Sequence, residues 1–227
     1  MGDFEKSFHL LCPGPVNVRP EVARALTAYE FCHREEEFSA LLDDTIKNAL
    51  AVCDADPAMY GAVVVTGSGT AGNEAVLSSV VGPDETVLVL TNGEFGERLA
   101  NISKIYNDTV VIDHAWGEPL DLERLVTELH GRSVGLVAMV HHETSTGVLN
   151  PVEAIGEICE LHGVRLFADM VSSYSADPVD LSSGAITFMT TSSGKAIAAY
   201  PGLALVIGRR DAFEALASLP VTNHYLS

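Results

Sequence analysis

A lysine, an aspartate and a glycine-flanked hydroxyl turn are the residues of this chain whose types and settings could do chemistry. Lys195 follows the stretch TTSSG and sits among Gly194, Ala196, Ile197 and Ala198. Small and apolar neighbours can desolvate an amine and lower its charge, which suits a lysine that condenses with carbonyl groups. An exposed loop lysine is the commoner fate, but the chain has few others (Lys6, Lys47 and Lys104), and none of these lies near a candidate strand end. Asp169 closes the run LFAD. There it could cap a helix, bind a metal or pair with a heterocyclic N–H; taken alone it reads as structural. Gly67-Ser68-Gly69-Thr70 lies between a β-branched run and a helical one. Free N–H groups at a helix start favour an anion, glycine lets the backbone approach a phosphate, and the Ser68 and Thr70 hydroxyls add donors. The sequence is neither a Walker A loop nor GxGxxG, and a plain tight turn is equally open. With the aromatic ring of Phe95 these pieces describe one ligand. A phosphate cup, a stacking ring, a carboxylate for a pyridine nitrogen and an amine for an aldehyde fit pyridoxal 5′-phosphate.

Such a set needs a scaffold that brings distant positions together. Strand-like runs fall at residues 62–66, 86–90, 109–112, 134–140, 165–168, 186–189 and 203–207. Helical runs fall at 21–51, 71–81, 96–106, 121–130, 151–162 and 211–218. The run AVVVT at 62–66 predicts a strand buried on both faces. In the helix at 121–130, Leu122, Leu125, Val126 and Leu129 share one side. This alternation predicts an α/β fold with an open, mostly parallel sheet covered by helices. Ligands of such sheets bind at the carboxyl ends of the strands, which is where Ser68, Phe95, Thr144, Asp169 and Lys195 fall. Pro13-Gly14-Pro15 marks residues 1–18 as an extended or turning N-terminal arm. The acidic run Glu35-Glu36-Glu37 reads as a solvated helix face.

Composition limits the partners. The chain has 227 residues, 47% of them hydrophobic and 19% charged, enough for a full core and too apolar for a disordered chain. A net charge of −18 argues against nucleic acid or an anionic membrane as partner. No apolar run has spanning length, and the first residues lack the pattern of a secretory signal. Cys12, Cys32, Cys53 and Cys159 form no CxxC pair, so no metal site is expected, and scattered thiols suit a cytoplasmic protein.

Several segments together resemble the class V, fold type I pyridoxal-phosphate aminotransferases, and most of all their 2-aminoethylphosphonate–pyruvate branch. They are LCPGPVNV (11–18), HREEEF (33–38), TGSGTAGNE (66–74), NGEFGER (92–98), HHETSTGVLNP (141–151), ADMVSSYSADPVDL (168–181) and the stretch 193–209 ending in PGLALVIGR. The resemblance implies a seven-stranded-type large domain over residues 19–227. It implies that Ser68, Gly69 and Thr70 hold the cofactor phosphate, with Ser193 nearby. Phe95 would stack on the ring and Val171 pack on its other face. Thr144 would bond near the phenolic oxygen, Asp169 would pair with the ring nitrogen and Lys195 would bind the aldehyde carbon. His142, beside this wall, reads as a packing histidine.

It further implies amino transfer between a small amino compound (2-aminoethylphosphonate, alanine or serine type) and a 2-oxo acid such as pyruvate. A homodimer, or a heteromer with a small-domain subunit, is the expected assembly. The pattern also departs from the family. Its small C-terminal domain, which carries a substrate-clamping arginine, has no counterpart here, and Arg209 and Arg210 are poor substitutes. A split enzyme, an altered enzyme and a copy without turnover all accommodate this. Gly194 replaces an amide residue, and Tyr174-Ser175-Ala176 replaces a glycine turn. The open alternatives in function are elimination, racemisation or decarboxylation with the same cofactor, or a non-catalytic interaction subunit.

Overall fold

The structure is a computed structural model and describes residues 9–28 and 30–226; residues 1–8 of the expected N-terminal arm, together with Tyr29 and Ser227, lie outside the described residues. In chain order the elements are α1 (Pro20–Ala25), α2 (Glu36–Val52), β1 (Tyr60–Thr66), α3 (Gly69–Ser79), β2 (Thr86–Thr91), α4 (Glu94–Tyr106), β3 (Asp108–Asp113), α5 (Leu122–Gly131) and β4 (Val134–Val140). The short β5 (His142–Glu143) and β6 (Val148–Leu149) follow, then α6 (Val152–Leu161), β7 (Arg165–Asp169), β8 (Phe188–Ser192), β9 (Leu203–Arg209) and α7 (Arg210–Ala215).

Seven strands form one sheet in the order β1-β9-β8-β7-β4-β2-β3, while β5 and β6 pair separately. The run from β8 to β3 is parallel. Strand β9 is antiparallel to both of its neighbours. Both faces are covered, as the mostly parallel α/β expectation requires. On β2 the pleat sends Leu88 and Leu90 into a core shared with Leu125 of α5 and Ile155 of α6. Val87 and Val89 enter a second core with Leu77 of α3 and Leu99 of α4. Strand β7 divides likewise, Leu166 and Ala168 to one side and Phe167 to the other. Helix α5 starts where its sequence says it should. The Asp121 side chain accepts the N–H of Arg124 at 2.9 Å, and Leu125 and Leu129 turn inward.

Three expectations change. Strand β1 is not buried on both faces: it is an edge strand, and Val63 is 50% exposed. The short connection from β8 to β9 leaves no room for a helical crossover, so β9 runs back antiparallel and β1 pairs outside it. The helical run at 21–51 divides into α1 and α2. Helix α1 buries no residue, and positions 30–35 are exposed, so helical propensity there has no packed face to sustain it. Strand β8 begins at Phe188, two residues later than residue 186, because register with β7 starts at Phe167 opposite Phe188. Among the described residues no helix is long and apolar enough to cross a membrane.

Candidate active site

A cavity of about 660 Å³ opens at the carboxyl ends of the parallel strands. Its walls come from distant parts of the chain. The β1–α3 turn brings Ser68, Gly69 and Thr70, the first turn of α4 brings Phe95, and the segment after β4 brings Thr144. The end of β7 brings Asp169 and Val171, and the turn after β8 brings Lys195.

Ser193 is the exception among the expected site residues. It does not line the cavity: its hydroxyl lies 2.6 Å from the Tyr200 carbonyl and 3.2 Å from that of Leu203. Ser192 lines the cavity instead. Successive side chains at a strand end point to opposite sides, and the 193–203 loop claims this one.

Ser68 precedes α3 in extended conformation; its carbonyl accepts the N–H groups of Ala71 and Gly72, but its hydroxyl makes no cap bond to the helix and can meet another partner. The N–H groups of Gly69 and Thr70 belong to the first helical turn and have no intrahelical acceptor. Gly69 is buried, and a Cβ there would stand 2.5 Å from Val171 Cγ2. The turn and the Val171 wall can close on each other only because position 69 has no side chain.

Asp169 is 6% exposed. Its Oδ1 accepts the N–H of Val171 at 2.9 Å, and its Oδ2 accepts Asn73 Nδ2 at 2.6 Å. Asn73 in turn accepts the Thr190 hydroxyl at 2.5 Å, tying α3, β7 and β8 together at this point. Burial pushes the Asp169 carboxyl above its ordinary range in spite of these bonds, and Glu143 adds to the rise while Arg98 opposes it. Asp169 forms no ion pair among the described residues, so a cationic N–H arriving in the cavity would find a buried carboxylate without a counter-charge.

Phe95 owes its place to a residue that sequence reasoning passed over. Glu143 is fully buried and accepts the N–H groups of Phe95 at 3.3 Å, Gly96 at 3.0 Å and Ser145 at 3.2 Å. It therefore caps α4, whose own N-cap residue is Gly93. A Cβ on Gly93 would meet Glu143 Cγ at 2.4 Å. The Arg98 guanidinium lies 4.8 Å from the centre of the Phe95 ring and 2.7 Å from Glu94. Thr144 Oγ1 donates to Ser172 Oγ at 2.8 Å, and His142 Nδ1 lies 3.0 Å from the same oxygen. His142 therefore lines the cavity as a bonded wall residue. Asn73 and Glu143 both stand inside the family-like segments; a polar residue on an otherwise buried helix face was the available signal for Asn73.

The class-V aminotransferase family model matches residues 24–226. The chain belongs to that family. An uncharacterised aminotransferase of Methanocaldococcus jannaschii is 35% identical over 210 residues, covering 91% of this chain and 54% of the relative. A 2-aminoethylphosphonate–pyruvate transaminase of Vibrio cholerae is 32% identical over 213 residues, covering 92% and 58%. In structure, an alanine–glyoxylate aminotransferase from Nostoc sp. superposes with TM-score 0.89 at 32% identity, covering 100% of this chain and 61% of the other. A pyridoxamine–pyruvate aminotransferase from Mesorhizobium loti gives 0.89 at 26%, covering 100% and 58%. The chain thus spans a little over half the length of the curated relatives it matches. The cofactor of this class-V fold is pyridoxal 5′-phosphate, and the donor set of the cavity fits it: a turn of free N–H groups and hydroxyls, an uncompensated buried carboxylate and a half-buried amine.

Proposed function

We propose that this protein is a pyridoxal-phosphate-dependent aminotransferase acting between a small amino compound and a small 2-oxo acid such as pyruvate. The observation that carries the proposal is that Asp169 and Lys195, from the ends of different strands, open on one cavity beside the Ser68–Gly69–Thr70 turn. The names of the relatives point to 2-aminoethylphosphonate or alanine as donor, and the resemblance of the sequence segments adds a serine-type donor.

In this reading Ser68, Gly69 and Thr70 bind the phosphate, Phe95 and Val171 hold the two ring faces, and Thr144 lies toward the ring hydroxyl. Lys195 binds the aldehyde. When bound, the cofactor supplies an electrophilic carbon and a ring that accepts electrons from the substrate Cα. The chain supplies the rest. Asp169 is fixed by Asn73 and Val171 and holds a proton on the ring nitrogen, which keeps the ring cationic. Once a substrate amine has taken its place on the aldehyde, the Lys195 amine would be placed to accept the proton from the substrate Cα and to return one on the cofactor side. The bonded wall of Thr144, Ser172 and His142 orients the ligand on that side.

The proposal extends to assembly as a homodimer or with a second, small-domain polypeptide. Ile197, Tyr200 and Leu203 leave apolar surface exposed beside Lys195, which supports a partner there. Light scattering of the purified chain reads the homodimer directly.

The test is spectroscopic and chemical. Cofactor added to the purified protein should produce the visible absorbance of a lysine-bound aldehyde, and Lys195→Ala should lose it. With 2-aminoethylphosphonate and pyruvate, alanine should accumulate. Absence of the band in the unaltered protein would end the cofactor assignment, and amine release without alanine would end the transfer assignment.

A further inference from the structure

Lys195 has a neighbour that the chemistry of the cavity does not itself call for. Residues 12–15 bend across the cavity, and Gly14 and Pro15 form part of its wall. The Lys195 amine donates to the Gly14 carbonyl at 3.2 Å, between positions 181 residues apart. Gly14 has φ 155°, a backbone region that residues with side chains rarely enter. A Cβ at this position would stand 2.3 Å from Lys195 Cδ, 3.1 Å from Cε and 3.0 Å from Nζ. The lysine stem therefore occupies the space that any side chain at position 14 would fill. A lysine stem is flexible and carries much rotamer freedom, so something must confine it if its amine is to meet a ligand in one place. On the open side of the cavity, the N-terminal strap does so.

We propose that Gly14 is the positioning residue of Lys195: its carbonyl holds the free amine, and its bare Cα leaves the channel through which the stem reaches the cavity. This rests on the reading of Lys195 as the cofactor-binding lysine. It adds that loading and the strap are coupled, because the carbonyl of Gly14 loses its donor when the amine is drawn onto the cofactor. The strap is then less firmly held in the loaded protein than in the free one.

Gly14→Ala tests the idea with two ligands. Pyridoxal 5′-phosphate reports capture through the rate at which the visible band appears. Pyridoxine 5′-phosphate, which has a phosphate but no aldehyde, reports binding alone by calorimetry. The expected result is capture slowed by at least about tenfold, within the roughly hundredfold that misplacing a reacting group by an ångström can cost, with the affinity for the aldehyde-free ligand within about twofold of the unaltered protein. Pro13→Ala, in the same strap but exposed and outside the cavity wall, should leave capture unchanged.

Capture by Gly14→Ala at the unaltered rate overturns the proposal, and so does an equal loss of both ligands. If the unaltered protein neither binds pyridoxine 5′-phosphate nor develops the band, the cofactor reading itself has failed. Should Gly14→Ala not fold, hydrogen exchange on the unaltered protein decides: amides of residues 12–18 should exchange faster after loading, and unchanged exchange refutes the coupling.

Discussion

Asn73 Nδ2 lies 2.6 Å from Asp169 Oδ2, and both side chains are almost fully buried. Because Asn73 also accepts the Thr190 hydroxyl, its amide can present only its N–H side to the carboxylate. The orientation of Asp169 is thus set by a helix that begins at the Ser68–Gly69–Thr70 turn, so that this turn and Asp169, on different parts of the cavity wall, are held by one rigid element, α3.

Replacing Asn73 by alanine leaves the Asp169 carboxylate and the Thr190 hydroxyl each short of a partner. The expected cost is about 1–3 kcal/mol in the urea unfolding free energy. Asn73→Asp should cost more, since it sets two carboxyl groups together in a buried site. A measured loss well below about 1 kcal/mol for the alanine variant would mean that water replaces the amide at no cost.

At position 69 a methyl group would overlap Val171. Gly69→Ala should therefore push the Val171 wall and the turn apart, destabilising the fold by about 1–3 kcal/mol. The affinity for pyridoxine 5′-phosphate should drop with it. Restoring space with Val171→Ala in the Gly69→Ala background should recover part of both losses, and a double-mutant cycle showing simple additivity would refute the contact.

Glu143 gathers N–H groups that open α4 and the 145 turn. Glu143→Ala leaves them without that acceptor and should cost at least about 2 kcal/mol; Glu143→Gln, which keeps an acceptor, should cost less. The ordering of the two variants in thermal unfolding is the check, and equal losses would argue that charge rather than hydrogen bonding matters.

His141 is buried, with Nδ1 2.9 Å from Ser173 Oγ, and burial holds its pKa below the ordinary histidine value. Glu153 and Asp177 pull the other way, less strongly, and His142 adds to the lowering. The folded value lies below the unfolded one, so the unfolded chain takes up the proton first as pH falls. The stability tied to neutral His141 is present above the unfolded value, near about 6.5, and is lost as pH drops toward the folded value. Urea midpoints should decline between about pH 7.5 and about pH 5.5, and less steeply in His141→Gln. Asp169 has the opposite sign, its raised carboxyl losing stability as pH rises, so the variant comparison isolates the histidine.

Much of the site was legible in one dimension. Asp169 ends the run that forms β7, Lys195 and the Ser68–Gly69–Thr70 turn lie within a few residues of the ends of β8 and β1, and the carboxyl ends of strands are where such sheets bind ligands. The alternation of strand and helix dictated the layered sheet, because β-branched runs and amphipathic stretches have only a few ways to bury each other. What the residues could not reveal is pairing across long separations. The placing of β1 at an edge, the choice of Ser192 over Ser193, the hold of Asn73 on Asp169, the capping of α4 by Glu143 and the seat of Gly14 on Lys195 all depend on which distant backbone lies alongside. Local sequence determines hydrophobic period, turn chemistry and the reagents at hand. Side-chain direction and partner choice come from register and packing, which exist only once the whole sheet has closed.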